Sequence, residues 1–247
     1  MNKILILMCY YNRPNLVRFA LQSLRSQTYK NWHLVFVDDG SEQSAYQSMI
    51  EIMQEDIDKC KYVNTNNTEK EKREFGGSLF GLYWTHACLD KTCDIGIMLC
   101  DDDALMPDYL ENLNKYFADN PNEMWCYTHY KGYDPYAQKD FMNIQTSTNS
   151  APLTERINPD SRLDASQVAF KLNAFKENNV EFGYPKTANL DSDLYRKLFP
   201  MYGPCPYSGF FGQYKGLPAN RLENRQLSTQ AMYINDIDIN VVPFKNV

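Results

Sequence analysis

The chain has 247 residues, 43% of them hydrophobic, which is enough to bury one sizeable core. Its net charge of -6 comes without any run of Lys and Arg, which excludes the basic face typical of nucleic-acid binders. No stretch approaches the about 18 apolar residues of a membrane span and no signal-peptide pattern is visible, so the sequence predicts a soluble, cytoplasmic chain without integral membrane contact.

Strands and helices alternate through the first part of the sequence. A continuous apolar run at residues 3–9 predicts a strand buried on both faces, and Pro14 opens a helical pattern. Residues 34–37 predict a second strand, which is followed by a helical pattern through Ile57 and a short strand at residues 61–63. This alternation predicts an α/β fold with a mostly parallel sheet flanked by helices.

The middle of the sequence continues the same rhythm. Residues 64–75 are almost wholly polar and predict a loop, and Gly76 and Gly77 open the next helical stretch. Ile95–Cys100 predicts the third strong strand. Pro107 then opens a further helix.

The second half has weaker patterns. Residues 130–163 predict loops and short strands, and a helix is expected from Leu190 until Pro200 stops it. Residues 201–229 are rich in Gly, Pro, Asn and Tyr, which predicts a mobile or acceptor-facing segment. Residues 232–243 have a strand-like pattern.

Asp101, Asp102 and Asp103 directly follow the third apolar strand. Ligands of open α/β sheets bind at the carboxyl ends of the strands. Adjacent carboxylates at the end of a buried strand are costly unless a cation neutralises them, and hard oxygen ligands favour Mg²⁺ or Mn²⁺. Capping of the helix at Pro107 accounts for one Asp but not for all three, so we expect a metal site here.

Two further acidic segments each allow a structural and a functional interpretation. Asp38 and Asp39 end the second strand before Gly40, where they either form a turn or accept hydrogen bonds from a nucleobase or a ribose. Asp191 and Asp193 lie at the start of a predicted helix, where they either cap it or supply a general base. The spacing alone does not choose between these two residues.

Several segments share an order and spacing with one known family. They are Tyr11-Asn12-Arg13-Pro14, Ala20-Leu21-Gln22-Ser23-Leu24, Gln27-Thr28-Tyr29, residues 35–41, and the acidic cluster followed by Pro107. Over residues 3–119, and more thinly to residue 200, the sequence resembles the family 2 glycosyltransferases, which have the GT-A fold.

The resemblance implies an inverting, metal-dependent transferase that moves a sugar from a nucleotide-diphosphate sugar, by default a UDP-sugar, to an acceptor hydroxyl. The donor-binding residues that it implies are Tyr11, Arg13, Asp38, Asp39, Asp101 and Asp102. A DXD-type site would hold Mn²⁺ or Mg²⁺ on Asp102 and Asp103, and Asp191 would be the catalytic base.

The resemblance also implies how the chain is organised. We expect one GT-A-like domain over residues 1–247, in which residues 1–129 bind donor and metal and residues 130–247 form an irregular portion facing a carbohydrate or glycoconjugate acceptor. The Gln-x-x-Arg-Trp motif of processive synthases is absent, which favours single addition by a hexosyltransferase. The sequence lacks the family's Arg near Gly76 and its acidic residue at Leu190, and two alternatives remain: a nucleotidyltransferase and an inactive nucleotide-sugar-binding module.

Overall fold

A computed structural model describes residues 1–75, 78–89, 92–133, 146–149, 155–160, 163–182 and 190–216. Its strands are β1 (Ile4–Tyr10), β2 (Trp32–Asp38), β3 (Cys60–Asn64), β4 (Ile95–Cys100), β5 (Ala104–Leu105), β6 (Trp125–Tyr133), β7 (Thr146–Asn149), β8 (Val168–Lys171) and β9 (Tyr207–Gly216). Its helices are α1 (Pro14–Arg25), α2 (Tyr46–Met53), α3 (Glu69–Phe75), α4 (Ser78–Leu89), α5 (Tyr109–Asp119), α6 (Asn173–Asn178) and α7 (Leu190–Tyr202).

All the described strands join one mixed sheet, whose spatial order is β3-β2-β1-β4-β8-β6-β9-β5, with β7 paired to β6. The four strands β3, β2, β1 and β4 are parallel, as the helix-strand alternation predicts. Strand β8 is antiparallel to both β4 and β6, whereas β9 runs parallel to β6. The predicted α/β class is therefore confirmed, and the sheet is parallel in its N-terminal half and mixed beyond it.

The sheet is covered on both faces. Apolar residues of α1, α2 and α5 pack against one face, and those of α4, α6 and α7 pack against the other. This double coverage explains why β1 and β4 are continuous apolar runs rather than alternating ones. Among the described helices, none is both long and apolar enough to cross a lipid bilayer.

The prediction of a loop over residues 64–75 is wrong, because β3 includes Asn64 and α3 is helical. The Thr68 hydroxyl accepts a hydrogen bond from the Glu71 backbone N–H at 3.3 Å, and the Glu71 carboxylate accepts one from the Thr68 N–H at 2.8 Å. This reciprocal pair is a capping box, which starts a helix without any apolar periodicity. The helix predicted through Ile57 is also too long, since α2 ends at Met53 and residues 54–59 form a 3₁₀ turn.

Two predictions for the second half also need correction. Pro200 lies inside α7 rather than ending it, and the helix ends at Tyr202 where Gly203 adopts a φ of +69°. Within the segment predicted to be mobile, β9 is a ten-residue strand paired along β6. A long-range pairing of this kind leaves little local signal, because the partner strand lies far away in the sequence. Gly76, Gly77 and residues 217–243 lie outside the described residues.

Candidate functional site

The carboxyl ends of β1, β2 and β4 meet at one edge of the sheet. Tyr10 pairs with Asp38 in the β1–β2 ladder, and Cys9 pairs with Cys100 in the β1–β4 ladder. The segments that follow these strands are therefore neighbours, and the Tyr11 backbone N–H donates to Asp101 at 3.3 Å. The structure thus brings together three segments that are widely separated in the sequence.

Arg13 bridges two of the clustered carboxylates. Its Nη1 atom lies 3.0 Å from Asp101 Oδ1 and 3.2 Å from Asp102 Oδ2. Both Asp residues are buried. Burial raises the pKa of the Asp101 carboxyl, the Arg13 guanidinium opposes that rise, and the neighbouring Asp102 adds to it. Arg13 is thus a counter-ion within the acidic cluster.

Asp103 has different partners, on the other side of the cluster. Its Oδ2 atom lies 3.0 Å from Lys215 Nζ, and its Oδ1 atom accepts from the Gly216 backbone N–H at 2.9 Å. Lys215 Nζ also lies 3.0 Å from Asp164 Oδ1. Burial acts to lower the pKa of the lysine, but Asp103 and Asp164 hold it well above its usual range. Lys215 is therefore a charged link between three parts of the chain.

Among these partners, Lys215 and Asp164 have no counterpart in the site predicted from the sequence. Asp164 does carry a readable local signal, because Asp164 and Gln167 form a capping box around a 3₁₀ turn. That signal indicates a turn and not a charge partner. Lys215 lies in β9, inside the segment that the sequence predicts to be mobile or acceptor-facing. The pairing of β5 with β9, in which Ala104 opposes Tyr214, brings it to the acidic cluster.

Asp38 and Asp39 hold the loop after β2. Asp38 is fully buried and accepts hydrogen bonds from the Ser41 backbone N–H at 2.8 Å and from the Tyr62 hydroxyl. Asp39 accepts from Thr65 Oγ1 at 3.1 Å and from Asn67 Nδ2 at 2.6 Å. Burial raises the pKa of both carboxyls. Asp38 thus serves the loop's internal structure, while Asp39 lies at the junction with the loop that precedes α3.

We expect Gly40→Ala to destabilise the protein by about 2–4 kcal/mol. Gly40 has a φ of +65°, and a Cβ there would lie 2.3 Å from the Asn67 carbonyl oxygen. Gly203 is a matched control, because its φ is +69° and nothing lies within 4 Å of its Cβ position. Chemical denaturation should show a loss of only about 1 kcal/mol for Gly203→Ala. Equal losses for the two variants would refute a steric role for Gly40.

Residues of helix α3 contact the Tyr11 side chain. Lys72 Nζ lies 3.7 Å from the centre of the Tyr11 ring and 3.3 Å from the Gly40 carbonyl oxygen. The Tyr11 hydroxyl donates to Glu69, which also pairs with Lys72 at 3.0 Å. These contacts connect the segment after β1 with the helix that the sequence does not predict.

Asp191 and Asp193, both in the first turn of α7, have different surroundings. Asp193 pairs with Lys197 one turn later at 2.6 Å. Asp191 is half-buried, and its Oδ1 accepts from the Ser192 backbone N–H at 2.8 Å. Burial raises the pKa of Asp191, the negative charge of Asp164 adds to the rise, and Lys215 opposes it. Asp191 is therefore the one that is electrostatically linked to the acidic cluster.

The cluster also offers a set of atoms that could hold a metal ion. Cys100, Asp102 and Asp103 each offer one ligand atom, and these three atoms lie within 4.8 Å of one another. The Asp102 and Asp103 carboxylate oxygens suit Mg²⁺ and Mn²⁺, whereas the Cys100 thiol is a soft ligand whose pKa burial raises well above its usual range, so the two carboxylates are the part of this set that fits the predicted ions. The two Asp103 oxygens also interact with Lys215 and Gly216, and Asp102 Oδ2 lies 3.2 Å from Arg13 Nη1.

Residues 5–73 match the family model described as glycosyl transferase family 2. The predicted resemblance to this family is therefore confirmed over residues 5–73. The matched region holds Tyr11, Arg13, Asp38 and Asp39, but it ends before the acidic cluster and before Asp191. No curated protein matches the sequence.

Solved structures share the fold. S. aureus TarS matches with a TM-score of 0.64 and 13% identity, covering 96% of this chain and 40% of that one. A TarS fragment in complex with UDP-GlcNAc matches with a TM-score of 0.61 and 13% identity, covering 87% of this chain and 58% of that one. The mannosyltransferase PcManGT from Pyrobaculum calidifontis, in complex with GDP-Man and Mn²⁺, matches with a TM-score of 0.61 and 17% identity, covering 98% and 66% respectively. The chain thus spans less than two thirds of the length of these structures, and at such identities the likeness shows the fold alone.

Proposed function

We propose that this chain transfers a sugar from a nucleotide-diphosphate sugar to an acceptor hydroxyl, with inversion and with the help of a divalent cation. The observation that carries this proposal is the convergence of the segments after β1, β2 and β4 at one sheet edge, where Asp39 and Asp102 are both buried. The family match over residues 5–73 supports a nucleotide-sugar donor. The UDP-GlcNAc and GDP-Man complexes of its structural neighbours support the same donor class.

The donor would lie with its nucleoside against the β1–β2 side of the edge. Asp39 is available there beside Thr65 and Asn67 to accept hydrogen bonds from a base N–H or a ribose hydroxyl. Tyr11 supplies an aromatic ring at the same sheet edge, where its backbone N–H donates to Asp101. We infer UDP as the nucleotide, with GDP as the second candidate because PcManGT was solved with GDP-Man.

The charges of the cluster support a cation on Asp102. In the ion pairs of the described residues, Arg13 meets Asp101 and Asp102, and Lys215 meets Asp103 and Asp164. Carboxylates thus outnumber the cationic side chains in these pairs, and a donor diphosphate would add more negative charge. A divalent cation on Asp102, Mn²⁺ or Mg²⁺, would offset the charge that develops on the departing diphosphate.

The remaining chemistry is assigned to α7. The acceptor oxygen attacks the anomeric carbon while the bond to the diphosphate breaks on the opposite face, which gives inversion. Asp191 receives the proton of the acceptor hydroxyl, and its raised pKa makes it a stronger base than an exposed carboxylate. We further propose that residues 1–129 form the donor half and residues 130–247 the acceptor half of one domain, and that a carbohydrate or glycoconjugate receives one hexose per cycle.

A thermal-unfolding screen tests the donor assignment. UDP, GDP, dTDP and CMP would each be added with Mn²⁺, Mg²⁺ or EDTA. We expect UDP with Mn²⁺ to stabilise the protein by about 2.7 kcal/mol at a hundredfold excess over Kd, which is roughly 5–10 °C in Tm. EDTA should remove most of this shift.

Two outcomes would contradict the proposal. If no nucleotide changes the Tm under any metal condition, the donor site is wrongly assigned. If UDP and Mn²⁺ stabilise the protein but UDP-sugar is neither transferred nor slowly hydrolysed, the chain is an inactive nucleotide-sugar-binding module.

A further inference from the structure

Lys215 joins the acidic cluster to the far half of the sheet through an ion-pair network that is buried at Asp103 and partly exposed at Asp164. The Lys215 side chain is 15% exposed, that of Asp103 is 0% exposed and that of Asp164 is 39% exposed, and the Lys215–Asp103 and Lys215–Asp164 distances are both 3.0 Å. Removing one partner of such a pair leaves an uncompensated buried charge, which is far more costly than losing a surface pair. The network therefore constrains where Asp103 can lie.

The backbone beside Lys215 also holds the turn that contains Asp102 and Asp103. The Gly216 N–H donates to Asp103, and the Tyr133 hydroxyl donates to the Asp102 carbonyl oxygen at 2.9 Å. A Cβ on Gly216 would lie 2.2 Å from that Asp102 carbonyl oxygen, so only glycine permits this approach. Residues of β6 and β9 thus contact this turn, and Arg13 contacts it as well.

Asp103 and Asp102 therefore have separate tasks. Both Asp103 oxygens are engaged within the protein, by Lys215 and by the Gly216 N–H. A cation on Asp103 would have to share those oxygens with a lysine ammonium, which is electrostatically unfavourable. Asp102 Oδ2 also lies beside a cationic group, Arg13 Nη1 at 3.2 Å, and the Asp102 carbonyl oxygen is held by Tyr133.

We propose that Lys215 is a positioning residue, which anchors Asp103 and Asp164 so that the turn presents Asp102 to the divalent cation. Asp103 is then the anchor of the turn rather than a ligand of the ion. This inference rests on the proposed function only in assuming that a divalent cation binds at Asp102. It adds two roles that the family pattern of the acidic cluster does not supply.

The test measures the Kd of Mn²⁺ alone by electron paramagnetic resonance of the free ion, together with Tm, on the full chain. Changes to residues that hold a metal ligand in place typically cost 10–100-fold in metal affinity. We expect Lys215→Met to weaken Mn²⁺ binding by about 10–100-fold and to lower the Tm. Asp102→Asn should weaken binding by at least as much, whereas Asp103→Asn, which keeps an oxygen for Lys215, should change the Kd by only about threefold.

A charge-balanced variant separates positioning from simple neutralisation. Lys215→Met with Asp103→Asn removes one charge of each sign, so we expect the Tm to recover towards the wild-type value while the Mn²⁺ affinity stays weak. Lys215→Arg should restore part of the affinity. Lys197→Met is the matched control, because it breaks an ion pair in α7 with Asp193 at 2.6 Å and should leave the Kd unchanged.

Three results would overturn the inference. If Lys215→Met binds Mn²⁺ with wild-type affinity, or if the double variant recovers both Tm and Mn²⁺ affinity, then Lys215 only neutralises charge and does not position Asp102. A loss in Asp103→Asn as large as that in Asp102→Asn would make Asp103 a direct ligand. Wild-type protein that binds no Mn²⁺ would refute the cation site as well, which distinguishes failure of the proposed function from failure of this inference alone.

Discussion

Asp102→Asn should reduce kcat/KM for sugar transfer by about 10²–10³-fold and should abolish the Mn²⁺-dependent part of nucleotide binding. The substitution keeps the size of the side chain and removes the charge that would meet the cation. Asp102 is buried beside Arg13, which also pairs with Asp101. The loss of the Asp102 charge therefore removes one of these two ion pairs of the guanidinium. Steady-state kinetics with a UDP-sugar and calorimetric titration of UDP, with and without Mn²⁺, measure the two effects.

Asp108→Asn is the control for this variant. Asp108 lies six positions further along the chain, is exposed, and makes no side-chain capping hydrogen bond at the start of α5. Its substitution should leave both measurements within about twofold of wild type, as is usual for surface sites. If Asp102→Asn binds UDP with the same Mn²⁺ dependence as wild type, the cation lies elsewhere.

The donor edge of the fold could be predicted because its signals are local. Buried parallel strands are continuous apolar runs, and Asp39 and Asp101 directly follow two of them. Since parallel neighbours end at the same edge of the sheet, the proximity of these segments follows from the strand pattern alone. Strand order and register then confirm the expected convergence.

Helix α3 was missed because a search for apolar periodicity cannot detect it. It is charged along its length, and its only start signal is the Thr68–Glu71 capping box. Strand β9 was missed for the opposite reason, since it depends on pairing with β6 and β5 and not on local propensity. Because the sequence does not predict β9, it does not predict Lys215 as part of the site either.

The sequence alone does not reveal the cationic side chains that meet the acidic cluster. It predicts an outside cation because no Lys or Arg adjoins Asp101, Asp102 and Asp103. Within the described residues, the fold brings Arg13 from the segment after β1 and Lys215 from β9 to these carboxylates. The case for a divalent cation therefore rests chiefly on Asp102 and on the charge that a donor diphosphate would add.

Asp191→Asn should lower kcat by about 10²–10⁴-fold while the Kd of the nucleotide donor changes little, because only the base that accepts the acceptor proton is lost. The environment supports this residue over its neighbour: burial and Asp164 raise the pKa of Asp191, whereas Asp193 is paired with Lys197 on the same helix. Single-turnover transfer assays and UDP titration with Mn²⁺ separate chemistry from donor binding.

Asp193→Asn is the matched control, two positions away in the same helical turn. It breaks an ion pair that is partly exposed, so it should cost little stability and leave kcat within about twofold. Slow hydrolysis of the donor by water should persist in Asp191→Asn, since the donor and the cation do not depend on this carboxylate. Normal transfer by Asp191→Asn, or loss of transfer in Asp193→Asn alone, would show that another residue is the catalytic base. Loss of donor binding in Asp191→Asn would instead show that Asp191 maintains the structure of the site, because its charge interacts with those of Asp164 and Lys215.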